Sequence, residues 1–111
     1  VYVREKQWET AIDLWKQIYA TKKGKKKMQA AYNLAVGYEM LDSITTAVGW
    51  ALKAQAEARI VDGVDKKDLT HLTQADLPNY VLTTLYVTEL KEREEGLARL
   101  NMQMQRFNND F

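Results

Sequence analysis

The polar segment 61–75 holds the residues best suited to catalysis or metal binding. Asp62, Asp65 and Asp68 precede His71, the only histidine among the 111 residues. Carboxylates and an imidazole can ligate a metal ion, and an imidazole can transfer protons at neutral pH. Their spacing, however, matches neither a calcium-binding EF-hand loop nor the His-x-x-x-His helix of zinc enzymes. We therefore interpret these acids as solvated loop residues and predict no catalytic residue, no metal site and no cofactor.

The lysine run KKGKKK, Lys22 to Lys27, is the second candidate for chemistry. A phosphate-binding P-loop needs a Gly-x-x-x-x-Gly-Lys-Ser/Thr frame that comes after a strand, and this run has neither. Lys25, Lys26 and Lys27 are predicted at the N-terminus of a helix, where positive charge opposes the helix dipole. We interpret these three lysines as a candidate contact for an acidic partner or lipid headgroups. The alternative is that they serve solubility alone.

Apolar residues at steps of three and four predict three helices ahead of the polar segment, over about residues 8–21, 28–41 and 44–59. Asp42 and Ser43 are predicted to cap the third helix with their side-chain oxygen atoms. The predicted buried stripes are Trp8, Ala11, Ile12, Trp15, Ile18 and Tyr19 in the first helix, Met28, Ala31, Leu34, Ala35 and Tyr38 in the second, and Ile44, Ala47, Val48, Ala51 and Ala54 in the third.

Two predictions concern the tryptophans. Trp8 and Trp15 lie seven residues apart on one helical stripe, which places them in the core. Trp50 lies off the stripe of the third helix, so we expect it to be partly exposed, at an interface or against the last helix.

A long last helix is predicted over about residues 76–108, because Pro78 suits a first helical turn and only Gly96 interrupts the rest of this segment. Its apolar seam is close to a heptad repeat and is interrupted by Arg93. The seam consists of Tyr86, Leu90, Leu97, Leu100, Met104 and Phe107. We expect the first half of this helix to pack on the preceding helices and the second half to project or to pair with another chain.

Composition favours a single all-α domain, since 46% of residues are apolar, 28% are charged and only one is proline. A net charge of +1 gives no general reason to expect a nucleic-acid partner. The absence of cysteine excludes disulfides, and no apolar run approaches the ~20 residues of a membrane-spanning helix. Because the chain begins with Val1 rather than methionine, we expect a piece of a longer protein.

Residues 30–54, AAYNLAVGYEMLDSITTAVGWALKA, alternate large and small residues in the manner of two antiparallel helices. They resemble a tetratricopeptide repeat. The positions that match its pattern are Ala30, Tyr32, Asn33, Leu34, Ala35, Tyr38, Ala47 and Ala54. Residues 7–18 resemble the second helix of a preceding repeat, which makes residues 1–6 the end of a truncated first helix. Asp42 stands where the repeat usually has a turn glycine.

The resemblance implies a single domain, built as a right-handed array of two antiparallel helical hairpins. Its parts are a partial repeat over about 1–21, a full hairpin over 25–60, a loop over 61–75 and a capping helix over 76–108. Apolar character also recurs between the first and third helices at a spacing of 36 residues, which is typical of an internal repeat.

One face of the second helix is left free by its buried stripe. It carries Gln29, Tyr32, Asn33, Val36 and Met40. In tetratricopeptide proteins such a face lines a concave groove, so the resemblance implies that Asn33 clamps a peptide and that Tyr32 forms an aromatic wall. The alternative is that Asn33 bonds only to a neighbouring helix. The predicted function is therefore a protein-binding or assembly module without enzymatic activity.

The whole chain also resembles the C-terminal region of uncharacterised cell-envelope lipoproteins of the Bacteroides group. This second resemblance implies a lipid-anchored parent at a bacterial envelope, whose anchor lies outside this sequence. Two alternatives for function stay open. The domain is a structural tail that forms homodimers through Leu90, Leu97 and Met104, or it is the regulatory tail of an enzyme whose active site lies upstream.

Overall fold

The computed structural model describes the backbone of residues 2–67 and 74–109 and the side chains of residues 5–67 and 75–106. Within these ranges the chain is helical and holds no strand, which confirms the predicted all-α class. The helices are α1 (Tyr2–Thr21), α2 (Lys25–Met40), α3 (Ile44–Asp62) and α4 (Pro78–Asn109), with two single-turn 3₁₀ helices, Val64–Lys66 and Gln74–Asp76, between α3 and α4.

Each helix packs against the next one along the chain, and aromatic pairs join alternate helices. Tyr19 of α1 meets Trp50 of α3 edge-on, with ring centroids 5.1 Å apart. Tyr32 of α2 meets Tyr86 of α4, with centroids 4.9 Å apart. The helices therefore form two layers, α1 with α3 and α2 with α4. Trp50 is half-buried, as predicted, and its ring lies against α1.

Small residues allow the helices to approach closely at the centre of this arrangement. Ala47 and Ala54 are fully buried in α3, as their size pattern predicts. A buried apolar cluster joins α2, α3 and α4 and consists of Ala35, Ile44, Ala47, Val48, Ala51, Val87 and Leu90. Because this cluster holds α4 onto the α2–α3 hairpin, the last helix is part of the core over its first half.

The turn between α2 and α3 corrects one prediction. Ser43 precedes α3, but its side chain makes no capping hydrogen bond. Asp42 instead adopts a left-handed backbone with φ of 60°, while its N–H donates to the carbonyl of Glu39 and that of Ser43 donates to the carbonyl of Tyr38. These bonds satisfy the carbonyl groups that end α2, so the turn is stabilised through the backbone rather than by side-chain caps.

The helix ends differ from the predicted ones in two places. Helix α1 begins at Tyr2 rather than near Trp8, so residues 2–6 continue the same helix and do not form the end of a separate one. No glycine or proline precedes Gly24, and nothing in the sequence therefore breaks α1. Helix α3 continues to Asp62 and ends at Gly63, which is left-handed with φ of 65°.

Helix α4 begins at Pro78, close to the predicted start, and its two halves differ in burial. Thr83, Val87 and Leu90 are buried against the preceding helices, whereas every residue from Asn101 to Arg106 is exposed. Leu90 is 0% exposed and cannot belong to a seam between two chains. The exposed seam therefore consists of Leu97, Leu100 and Met104, while the side chain of Phe107 lies outside the described residues.

Candidate partner-binding site

The five predicted binding residues of α2 lie on one side of the helix but in different surroundings. Gln29 is exposed, Tyr32, Asn33 and Val36 are half-buried, and Met40 is 57% exposed. Gln29, Tyr32 and Asn33 lie together near the start of α2, and Met40 lies at its end. Several grooves open beside α2 among the described residues, and Val36 lines none of the three considered below. The structure thus brings three of the five residues into one place.

The first groove lies between α2 and α4 and has a volume of about 410 Å³. Its lining consists of Met28, Gln29, Tyr32, Asn33, Asn79, Leu82 and Thr83. Tyr32 forms one wall and is held in place by its contact with Tyr86. Leu82 is 53% exposed and gives the opposite wall an apolar surface. The groove therefore combines a fixed aromatic ring, an apolar side chain and several amide groups.

The second groove lies between α1 and α2 and has a volume of about 340 Å³. Its lining consists of Trp15, Ile18, Lys22, Lys26, Gln29, Ala30 and Asn33. Gln29 and Asn33 line both grooves and so form the ridge between them. Neither amide side chain makes a hydrogen bond in the part of the chain that the structure describes. The predicted alternative, in which Asn33 bonds to a neighbouring helix, does not occur within that part.

A polar network fixes α2 against α4 beside the first groove. The Tyr86 hydroxyl donates to Glu39 Oε1 at 2.7 Å, and Arg93 forms an ion pair with the other oxygen atom of Glu39. Burial, followed by the hydrogen bond to Glu39, raises the pKa of Tyr86 and keeps its hydroxyl protonated as a donor. Glu39 was not among the predicted site residues. Its partners lie 47 and 54 residues away, and no local pattern marks them.

A third groove, about 620 Å³ in volume, opens at the far end of α1 and α2. Gln7, Trp8, Ala11, Trp15 and Met40 line it. The prediction that Trp8 and Trp15 lie in the core is therefore wrong, because both rings are half-buried and face this open space. The two rings touch each other, with centroids 6.4 Å apart. Ile12 of the same stripe is buried against α2, whereas the two tryptophan rings are only partly covered.

The predicted lysine contacts separate into two groups. Lys27 forms an ion pair with Glu57 at 3.9 Å and lies over the ring of Tyr19 at 4.8 Å, so its charge is already compensated. Lys25 and Lys26 are exposed and form no ion pair with any other described residue. Lys22, which was not among the predicted contacts, joins Lys26 in the second groove. Positive charge thus collects at one end of that groove.

Residues 1–92 match the model of one protein family. This family, DUF6340, is described as a domain of unknown function. The chain belongs to DUF6340. No curated protein and no solved structure matches the chain. The match contains every residue that lines the three grooves.

In this DUF6340 domain two acidic residues of the polar segment, Asp62 and Asp65, have structural roles. Asp62 accepts hydrogen bonds from the backbone N–H of Tyr80 at 2.7 Å and from Asn79 Nδ2 at 2.8 Å. Asp65 forms an ion pair with Arg59. Asp68 and His71 lie outside the described residues. Among the described side chains, no cluster of histidine, aspartate or glutamate is arranged to hold a metal ion.

Asp62, at the end of α3, caps the N-terminus of α4. Leu77, which directly precedes α4, offers no side-chain acceptor that could do so. We expect Asp62→Ala to lower the free energy of unfolding by about 1–2 kcal/mol, the usual cost of a lost cap, as measured by urea denaturation. The matched control is Asp65→Ala, which removes an exposed ion pair and should cost less than about 1 kcal/mol. Equal losses for the two variants would contradict the capping role.

None of the helices in the described ranges combines the length and the hydropathy that crossing a bilayer requires.

Proposed function

We propose that this DUF6340 domain is a tetratricopeptide-like module that binds a protein or peptide segment along the exposed face of α2. One observation carries the proposal. Gln29 and Asn33 form the ridge between two grooves, and their amide side chains make no hydrogen bond within the described chain. An amide group can both donate to and accept from a peptide backbone. The ridge therefore offers directed hydrogen bonds to a chain lying across it.

The tetratricopeptide-like part of the proposal is supported by the order of the helices. In the two layers, α2 lies beside α4 and α1 beside α3, as consecutive hairpins of such a repeat are expected to stack. Asp42 adopts a left-handed backbone at the position where the repeat usually has glycine. Under this proposal α2 and α4 line the binding face, and α4 caps the array.

The lining of the second groove favours a ligand that has apolar and acidic residues close together. Trp15 and Ile18 offer apolar contacts, whereas Lys22 and Lys26 attract carboxylates at the groove's end. An exposed ion pair contributes little affinity but raises the rate of association and selects against basic partners. We therefore propose a segment with an apolar residue beside Trp15 and an acidic residue near Lys26.

The cellular setting proposed for this interaction is a bacterial cell envelope, where a lipid-anchored parent protein would carry the domain. The support for this setting is the resemblance of the chain to envelope lipoproteins. Under this proposal the domain serves in binding and assembly and uses neither a catalytic step nor a cofactor. Fractionation of cells that produce the full parent protein tests the location, since its recovery only in the cytoplasmic fraction would contradict it.

The binding proposal is tested with the immobilised domain, envelope extract and mass spectrometry, and then by calorimetry with the purified partner. The double variant Gln29→Ala/Asn33→Ala should bind that partner roughly five- to 150-fold more weakly. Each lost hydrogen bond costs about 0.5–1.5 kcal/mol, and ~1.4 kcal/mol corresponds to a factor of ten. Both side chains lack partners in the described fold, so the variant should unfold at the same urea concentration as the wild type.

The matched control is Gln17→Ala, which removes an exposed amide of α1 that lines none of the three grooves. It should bind with unchanged affinity. Lys26→Glu tests the charge preference and should weaken binding most at low salt, where electrostatic attraction is least screened. A partner that binds the double variant as tightly as the wild type would contradict the proposed site.

A further inference from the structure

We propose that one end of the helical bundle docks on an anionic lipid surface. At this end Lys27, near the start of α2, contacts both Tyr19 near the end of α1 and Glu57 near the end of α3. The α1–α2 turn and the α3–α4 connection therefore lie at the same end. This basic end exposes five lysines that form no ion pair with another described residue, namely Lys22, Lys23, Lys25, Lys26 and Lys66.

The acidic residues described at the basic end are occupied by other partners. Lys27 compensates Glu57 in an ion pair. Arg59 does the same for Asp65, and Asp62 accepts its hydrogen bonds from the start of α4. None of these three carboxylates is left to neutralise the five exposed lysines. Their positive charge therefore faces solvent and is available to an anionic partner.

The whole chain is close to neutral, but its charge is unevenly distributed. Residues 22–27 contain five lysines, and residues 57–76 contain three basic and five acidic residues. These two segments together carry a net charge of +3, whereas the rest of the chain carries −2, which gives the +1 of the whole. An anionic surface attracts the basic end of such a molecule and repels the remainder. The charge distribution thus favours one orientation.

Lys25 and Lys26 oppose the stability of their own helix. They belong to the first turn of α2, which contains no acidic residue, and positive charge at this position opposes the helix dipole. Gly24 precedes them, and no side chain caps the helix. Helix formation therefore does not explain these two lysines, whereas contact with an anionic surface does.

The residue types at the basic end favour a lipid surface over a nucleic acid. All five unpaired basic residues are lysines, which act as point charges on flexible stems, whereas arginine is preferred for bidentate recognition of a phosphate. Single-stranded nucleic acids also need aromatic rings on which bases stack. Tyr19 and Tyr80 lie near this end, but Lys27 lies over the first ring and Arg59 over the second. Neither ring therefore offers an open stacking surface.

Position favours a lipid surface over a peptide. Lys23, Lys25 and Lys66 line none of the grooves found beside the helices in the described part of the chain. A peptide in the second groove would neutralise Lys22 and Lys26 only. A layer of anionic headgroups can contact all five lysines at once. The inference goes beyond the proposed function and does not depend on it.

The number of lysines sets the expected strength of docking. Each lysine near an anionic membrane raises the affinity by about fivefold. Five lysines give an association constant with accessible lipid on the order of 10³ M⁻¹. Docking is therefore weak and reversible, and it is strongest at low salt. Such an affinity orients a domain that is already held near a bilayer.

Cosedimentation of the 111-residue protein with lipid vesicles tests the docking. Vesicles of phosphatidylcholine with about one third phosphatidylglycerol should bind half of the protein at about 1 mM accessible lipid and about 0.1 M salt. Vesicles of phosphatidylcholine alone should bind none. The variant Lys23→Gln/Lys25→Gln should bind the anionic vesicles about 10- to 30-fold more weakly.

The matched control is Lys91→Gln/Arg99→Gln, which removes the same charge from two exposed positions of α4. Lys91 lies 13 residues after Pro78, about 20 Å along the helix from the basic end. This variant should bind within about twofold of the wild type, because the contribution of a charge falls off within a Debye length of the surface. Circular dichroism should show equal helix content in all three proteins.

Failure of the wild type to bind anionic vesicles at about 5 mM lipid would overturn the proposal. Equal losses for the two double variants would also overturn it, because net charge rather than the basic end would then decide binding. Tighter binding to a short RNA duplex than to the vesicles would assign the basic end to nucleic acid instead. Since Lys23 and Lys25 line none of the described grooves, their double variant should still bind a groove ligand with unchanged affinity.

Discussion

Leu90→Ala is expected to lower the free energy of unfolding by about 2–5 kcal/mol, the usual range for a leucine truncated in a core. Leu90 is fully buried and belongs, with Val87, to the cluster that joins α4 to Ala47 and Ala51 of α3. Truncation would leave a cavity, because the side chains of the neighbouring alanines are too short to fill it. Urea denaturation monitored by circular dichroism gives the value directly.

The control for this substitution is Leu85→Ala on the same helix, where Leu85 is 60% exposed. Its effect should stay within about 0.5 kcal/mol, as for most surface substitutions. The pair of variants also separates two roles for the heptad-like pattern of α4. If Leu90→Ala left stability unchanged but weakened dimerisation, Leu90 would lie between two chains rather than in the core of one.

Gly37→Val is expected to lower the free energy of unfolding by about 3 kcal/mol, at the upper end of the cost of overpacking. A Cβ atom on Gly37 would lie 3.0 Å from Ile12 Cγ1 and 3.2 Å from Trp15 Cζ3. Valine adds two methyl groups beyond that Cβ, so α1 would have to move away from α2. Urea denaturation measures the loss.

Gly49→Val is the matched control for this effect. Gly49 also lies inside a helix, but a Cβ atom there would meet no other atom within 4 Å. Glycine and valine differ in helix propensity by no more than about 0.5 kcal/mol. The free energy of unfolding of this variant should therefore stay within ~0.5 kcal/mol of the wild-type value. Similar losses for the two valines would show that Gly37 does not set the distance between α1 and α2.

Gly37 also bears on the candidate binding site, since the second groove runs between the two helices that this glycine brings together. Trp15 contacts the Gly37 position and lines that groove. A wider separation of α1 from α2 would change the groove without altering Gln29 or Asn33. The stability and the shape of the site thus depend on the same close approach.

Periodicity predicted the four helices well, because a buried stripe repeats every 3.6 residues whatever it packs against. Leu34, Ala35, Ala47 and Ala54 are buried as their stripes require. The same rule was wrong for Trp8 and Trp15, which lie half-buried on an open groove. Periodicity identifies the apolar side of a helix, but it does not show whether another helix covers that side.

The candidate site was predicted only in part. Its place on α2 was predicted from the residues that the buried stripe leaves free, and Gln29, Tyr32 and Asn33 do line one groove. The opposite wall, formed by Asn79 and Leu82, lies 46 or more residues further along the chain. No local pattern relates the two walls, because the path of the chain through α3 and the polar segment brings them together.

Apolar spacing and the residues that break helices were enough to predict an all-α chain and the approximate extents of the four α-helices in the described residues. The pairing of polar groups depends instead on how those helices pack. Asp62 caps α4 and Glu39 holds Tyr86 and Arg93 because folding brings their carboxylates to donors that lie far along the chain. Local patterns depend on neighbours three or four residues away, whereas these contacts depend on how whole helices pack.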